Sequence, residues 1–178
     1  MLKVLPSYAG EKILETAEKL HYRKGAAPIF LYDIEFKRWE LPRFYALGDC
    51  FVLPTRGEGF GLPLCEALAM GMPVITTGYS AQLDFLTRKG KPLPGVKLLD
   101  YKIKKFDGRD SIYYEGFNWA VPDVDQLRKY MREVYENFEK YKKQAMESSE
   151  YIRQEWTWEK AAGRVVERLE EIYKNKMK

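Results

Sequence analysis

The sequence predicts an α/β domain in which a parallel sheet is covered by helices on both faces. Three observations carry this expectation. The runs PIFLY (28–32), DCFVLP (49–54) and PVITT (73–77) are almost continuously apolar, as strands buried on both faces are. Helical stripes alternate with those runs, which is the order a parallel sheet requires. Between the last two runs lies RGEGFGLPLCEALAMGMP (56–73), a glycine turn leading into a helix start. Strand, turn, helix and strand therefore follow in one short βαβ unit.

Taken in order, Leu2 to Leu5 reads as a short strand stopped by Pro6. From Glu11 to Lys24, apolar residues at Ile13, Leu14, Ala17 and Leu20 form the stripe of an amphipathic helix that Gly25 ends. After PIFLY, a short helix from about Glu40 to Leu47 is expected to turn Phe44, Tyr45 and Leu47 inward. Beyond PVITT the pattern loosens. A helical turn at Gln82 to Leu86 and a short strand at Val96 to Leu99 precede Tyr101 to Trp119, which reads as an irregular surface excursion. Periodicity returns in two C-terminal helices, 123–147 and 158–174. Their apolar stripes are Leu127, Met131, Val134 and Phe138, and then Ala161, Ala162, Val165, Leu169 and Ile172. With no repeat and no low-complexity linker, residues 1–178 read as a single domain.

Composition narrows the function. In 178 residues, 46% are apolar and 31% charged, which excludes a disordered chain. The net charge of +4 is spread among interleaved acids, so the chain is not expected to bind nucleic acid. Cys50 and Cys65 each lie in apolar surroundings and read as buried thiols. One histidine cannot complete a Cys/His metal set, and no metal site is expected. His21 reads as a surface residue near a helix C-terminus, where a cation is favoured. MLKVLPSY lacks the apolar core of a signal peptide, and no run has the length of a membrane span, so the expected location is cytoplasmic.

The chemistry concentrates at 56–73. Gly59 and Gly61 bracket Phe60 before a helix starting near Leu62, with Pro63 in the first turn, where its missing N–H costs nothing. Such a turn lets a ligand approach main-chain N–H groups at a helix N-terminus, which suits a phosphate or diphosphate. Glu58 on the turn and Glu66 one turn into the helix would repel that anion, unless they accept hydrogen bonds from hydroxyl-rich groups on either side of it. A diphosphate with a polyol at each end is a nucleotide sugar.

GEGFGLPLCEALAMGMPVI, with Glu58 and Glu66 separated by seven residues, resembles the E-x7-E segment of the group 1 retaining glycosyltransferases. The flanks agree: ELPRFYALGDCFVLPT resembles the helix and strand before that motif, and EWTWEKAAGRVVERL the closing tryptophan-containing helix. The resemblance implies a Rossmann-like donor-binding domain of the GT-B type, C-terminal in that fold. It implies that Glu58 contacts the donor sugar as the catalytic carboxylate and that Glu66 holds the ribose hydroxyls. The backbone of Gly59, Phe60, Gly61 and Leu62 would meet the sugar and diphosphate, and Asp33 and Ile34 the base. Read from the residues alone, Arg56 either reaches a phosphate or solvates the loop. Transfer with retention, without a cofactor or metal, follows from the same likeness. The family's phosphate-binding arginine and lysine precede its second strand, and MLKVLPSYAGEK has no such G-R…K-G pattern. The likeness therefore begins after the first βα unit and leaves out the acceptor domain. A separate acceptor-binding domain or chain, or a homo-oligomer, would complete the enzyme; the alternative is a non-catalytic nucleotide-sugar-binding subunit or fragment.

Other features read more plainly. Asp123-Val124-Asp125 spells D-x-D but stands where aspartates cap a helix. Arg88, Lys89 and Lys91 read as solvated surface, and Tyr113, Tyr114, Phe117 and Trp119 as packing aromatics or as a cluster that stacks on a sugar or base.

Overall fold

A computed structural model describes residues 2–3, 15–16, 18–25, 27–32, 35–106 and 116–176. The chain forms two compact units, 1–48 and 49–178.

In the first unit, β1 (Leu2–Lys3) and β2 (Leu31–Tyr32) pair in parallel, Leu2 opposite Leu31. Only the last two residues of PIFLY are strand. Helix α1 is seen at residues 15–16 and 18–21, and Gly25 follows it with φ +80°, the left-handed turn the sequence predicts there. Helix α2 (Leu41–Tyr45) buries Tyr45 and half-buries Phe44, which packs on Phe36 and Tyr32. Leu47 corrects the expectation: it is 67% exposed, because the helix stops before it.

The second unit is built on a three-stranded parallel sheet in the order β3 (Phe51–Leu53), β4 (Val74–Thr77), β7 (Val96–Leu99). Phe51 lies opposite Val74, and Val74 opposite Val96. Helix α3 (Leu62–Ala69) connects β3 to β4 and buries Leu64, Cys65, Ala67 and Leu68. All four residues of β4 are buried, as expected of a central strand with both faces covered. The architecture is thus the predicted α/β, Rossmann-like arrangement of a parallel sheet with helices around it. Helix α4 (Leu83–Leu86) leads into a small antiparallel pair, β5 (Thr87–Arg88) with β6 (Lys91–Pro92), before β7.

The segment after β7 departs most from the sequence reading. Within the stretch expected to be irregular, β8 (Tyr101–Lys105) pairs antiparallel with β9 (Asn118–Pro122) over five residue pairs, from Tyr101 opposite Pro122 to Lys105 opposite Asn118. Every β8 residue is exposed, so the strand buries no face that periodicity could report. Tyr113 and Tyr114 lie outside the described residues.

Beyond β9, α5 (Val124–Glu136) and α6 (Phe138–Glu155) replace one helix over 123–147, with the break at Asn137. Asp123 Oδ1 accepts N–H bonds from Asp125 and Gln126, both at 2.9 Å, so the first aspartate of the D-x-D triplet is an N-cap. Ile75, Leu99, Val134 and Tyr141 form a core cluster joined by Val52, Leu127 and Tyr130. Its α5 members are Leu127, Tyr130 and Val134, which leaves Met131 off the stripe and 48% exposed. Helix α7 (Trp158–Lys176) has no buried residue, so the face expected from Ala161 to Ile172 is uncovered. No helix among the described residues is long and apolar enough to cross a membrane.

Candidate functional site

Pro54 to Gly61 leave the carboxyl end of β3 as a turn tied to the neighbouring strand by hydroxyls. Thr76 Oγ1 donates to the Leu53 carbonyl at 2.8 Å, and Thr77 Oγ1 to the Thr55 carbonyl at 2.5 Å. These two bonds hold the end of β3 and the start of the turn against the end of β4.

The turn closes at Gly61, whose φ of +88° is open to glycine and strained for other residues. A Cβ there would stand 3.2 Å from both Gln82 Cβ and Leu64 Cδ1. Leu64 and Cys65 N–H donate to the Gly61 carbonyl at 2.9 and 3.2 Å, which starts α3, and Pro63 sits in the first turn as the sequence predicts. Among the described residues, the N–H groups of Gly59, Phe60, Gly61 and Leu62 have no acceptor. Four donors at a helix N-terminus make a local positive potential.

Phe60 turns its ring inward, 5.0 Å from Phe85 and 5.9 Å from Trp156, so what it offers outward is backbone. Glu58 is half-buried on the turn, and its main chain is held at both polar groups by Ser80. The Ser80 hydroxyl donates to the Glu58 carbonyl at 2.7 Å, and the Glu58 N–H donates back to Ser80 Oγ at 3.2 Å. Glu66 is on the exposed side of α3, together with Leu62 and Pro63, while the intervening residues are buried. Glu58, half-buried, and Glu66, exposed, thus stand in the chain on either side of the glycine turn and the helix start. Asp33 and Ile34 lie outside the described residues.

Arg56 is exposed on the rim, its guanidinium 4.8 Å from the centre of the Trp119 ring. The Ala120 N–H donates to the Arg56 carbonyl at 3.0 Å, so β9 borders the turn. Trp119 also packs edge-on against Phe106 at 4.5 Å. Trp119 thus packs as one of its two sequence readings has it, whereas Phe117 of the same group is 65% exposed. Arg56 was a candidate from the sequence; its pairing with the Trp119 ring that stacks on its guanidinium was not. Sequence reasoning also missed Ser80 and Gln82; a hydrophilic stretch after a buried strand is the only trace they leave in the sequence.

Neither cysteine is poised for chemistry. Burial, then the neighbouring Asp49, pushes the Cys50 thiol up to about 12; burial, then Glu66, pushes Cys65 up to about 11. Both are free, protonated thiols at neutral pH. His21 is exposed, its ring edge-on to Tyr22.

Residues 9–94 match the family model described as glycosyl transferases group 1, a span that includes the whole turn and both carboxylates. The chain is also similar to three curated glycosyltransferases over shorter stretches. It is 45% identical over 47 residues to the lipopolysaccharide core biosynthesis mannosyltransferase LpsB of Rhizobium meliloti (strain 1021), covering 26% of this chain and 13% of that protein. It is 43% identical over 42 residues to the O-antigen chain mannosyltransferase B of Escherichia coli, covering 24% and 11%. It is 41% identical over 64 residues to the O-antigen biosynthesis glycosyltransferase WclY of Escherichia coli, covering 36% and 16%. The matched stretches span less than a fifth of each relative's own length.

Proposed function

We propose, from the match of residues 9–94 to the group 1 glycosyltransferase model, a donor site for a nucleotide-diphosphate sugar, serving glycosyl transfer with retention. The observation that supports this reading is the turn itself: N–H groups at Gly59 to Leu62 without an acceptor among the described residues, at a helix N-terminus, with Glu58 before them in the chain and Glu66 after. The diphosphate lies over the Gly59 to Leu62 backbone. Glu58 accepts hydrogen bonds from the sugar and Glu66 from the ribose.

As the glycosidic bond breaks, negative charge grows on the departing diphosphate. Donors already fixed at that place lower the barrier because they need no reorganisation. Arg56, held on Trp119, adds positive charge at the rim. No metal or cofactor enters this reading, so EDTA is expected to leave turnover unchanged. The mannosyltransferase names of two relatives make mannose the first sugar to test.

The test is a thermal-shift panel of UDP, GDP and ADP with their glucose and mannose conjugates, repeated on Glu66→Ala. Ligand bound to the native state raises Tm by mass action. At least one nucleotide is expected to raise Tm, with a smaller shift in Glu66→Ala; no shift with any of them refutes the reading. Because the matched stretches are short parts of their relatives, a second reading is a nucleotide-sugar-binding subunit that needs a separate acceptor-binding chain. Binding without hydrolysis or transfer, followed by turnover once that chain is added, would favour it.

A further inference from the structure

We infer that Ser80 is a positioning residue of this site, acting through Glu58; the inference rests on the reading that Glu58 meets the donor sugar. Among the described residues only Ser80 and Lys89 combine a side chain with a positive φ, +81° and +52°. Lys89 precedes Gly90, itself at φ +73°, in the tight turn between β5 and β6, where such geometry is ordinary. Ser80 has no hairpin to explain it. A left-handed serine is a strained conformation that persists only where its surroundings over-determine it.

Those surroundings are on both sides of the residue. Before it, the Gly78 N–H donates to the Leu99 carbonyl at 2.9 Å, which fastens the loop to β7. After it, Gln82 is fully buried, donates Nε2 to the Thr77 carbonyl at 3.1 Å, and lies directly under Gly61. Between these anchors the serine hydroxyl takes both main-chain polar groups of Glu58, the carbonyl at 2.7 Å and the N–H at 3.2 Å. Rotating the Glu58 backbone breaks both bonds together. The strained backbone at Ser80 therefore holds the direction in which the Glu58 carboxylate leaves the chain. No bond from Ser80 goes to the diphosphate donors at Gly59 to Leu62, so its effect belongs to the sugar half of the ligand.

The test compares Ser80→Ala, which removes the hydroxyl and keeps the strain, with Ser80→Gly, which removes both. In the ligand-free protein, amide hydrogen exchange at Glu58 is expected to quicken in both variants, while the Tm of Ser80→Gly stays at or above that of the parent. Titration calorimetry with UDP, GDP, ADP and their glucose and mannose conjugates then separates the two halves of the ligand. Ser80→Gly is expected to weaken the sugar conjugates about tenfold, with the bare diphosphates changed less than about twofold. Placed on Glu58→Ala, the same substitution should add almost nothing, since its target is gone.

Unchanged exchange at Glu58 overturns the inference whatever the ligand. Equal weakening of diphosphates and conjugates, or full additivity with Glu58→Ala, overturns it as well. If the parent binds no nucleotide, the donor-site reading fails and this inference with it. If the parent binds and Ser80→Gly binds identically, the donor-site reading stands and only this inference is lost.

Discussion

Gly61 and Gly95 share a left-handed backbone, φ +88° and +78°, but their surroundings set different tolerances for a side chain. At Gly61 the new Cβ would meet two side-chain carbons at 3.2 Å, which can give slightly. Gly61→Ala is expected to cost about 1–2 kcal/mol, mostly from the left-handed conformation. At Gly95 it would lie 2.6 Å from the Ala145 nitrogen and 2.7 Å from its Cα, and the backbone of a long helix cannot yield. Gly95→Ala should therefore destabilise clearly more, as read from urea midpoints; a smaller effect than at Gly61 would contradict this account. The need for Gly61 was legible in the sequence, since a glycine turn before Leu-Pro announces a helix start. The need for Gly95 was not, because its cause is a helix far along the chain. Ser80 is the same kind of case: its conformation depends on Glu58, Leu99 and the strand between them.

At the scale of elements, α5 shows how one helix is fastened at two levels. Locally, Asp123 caps it, and Asp123→Ala should cost about 1 kcal/mol in a denaturant titration. Through space, Glu133 accepts from Lys97 Nζ on β7 at 2.8 Å and from the Tyr141 hydroxyl on α6. These bonds, the one from Lys97 first, hold the Glu133 carboxyl below the usual carboxylate range. Burial alone would lower Lys97, but its bonds to Glu133 and Tyr141 outweigh that and hold it above the usual lysine range. A depressed carboxylate contributes stability above its unfolded pKa, about 4.3, and loses it as pH falls through the folded value. The urea midpoint should thus drop as pH is lowered below about 4.3, and Glu133→Gln should begin lower at pH 7 and lose part of that acid dependence. The raised lysine predicts no loss between neutral pH and about 10.4, because its contribution is lost only as pH rises past the ordinary lysine value. An acid limb identical in the parent and Glu133→Gln would show that this cluster does not link α5 to the sheet in solution. The D-x-D cap was legible, being a local pattern; the Lys97–Glu133–Tyr141 cluster joins three elements and left no spacing to read.

For the molecule as a whole, the same amphipathic pattern has two outcomes. Leu64 in α3 is fully buried, and Leu64→Ala should cost about 2–5 kcal/mol. Leu169 in α7 follows an equally regular stripe yet is 59% exposed, so Leu169→Ala should change stability by no more than about 0.5 kcal/mol in this chain. Comparable losses at both sites would mean that the α7 face is covered in solution. The βαβ unit around Arg56–Pro73 was readable from the residues alone, because glycine turns, the proline in the first helical turn and apolar strand runs are local properties of a few adjacent residues. The sequence also carried the likeness to group 1 glycosyltransferases, since that motif is contiguous. That β8 is a strand, that 123–147 divides at Asn137, that α7 stays uncovered and that Ser80 and Trp119 reach the turn became visible only in three dimensions. Each of these depends on which distant segment lies opposite. Hydrophobic periodicity records that a face is suited to burial, but not what comes to cover it.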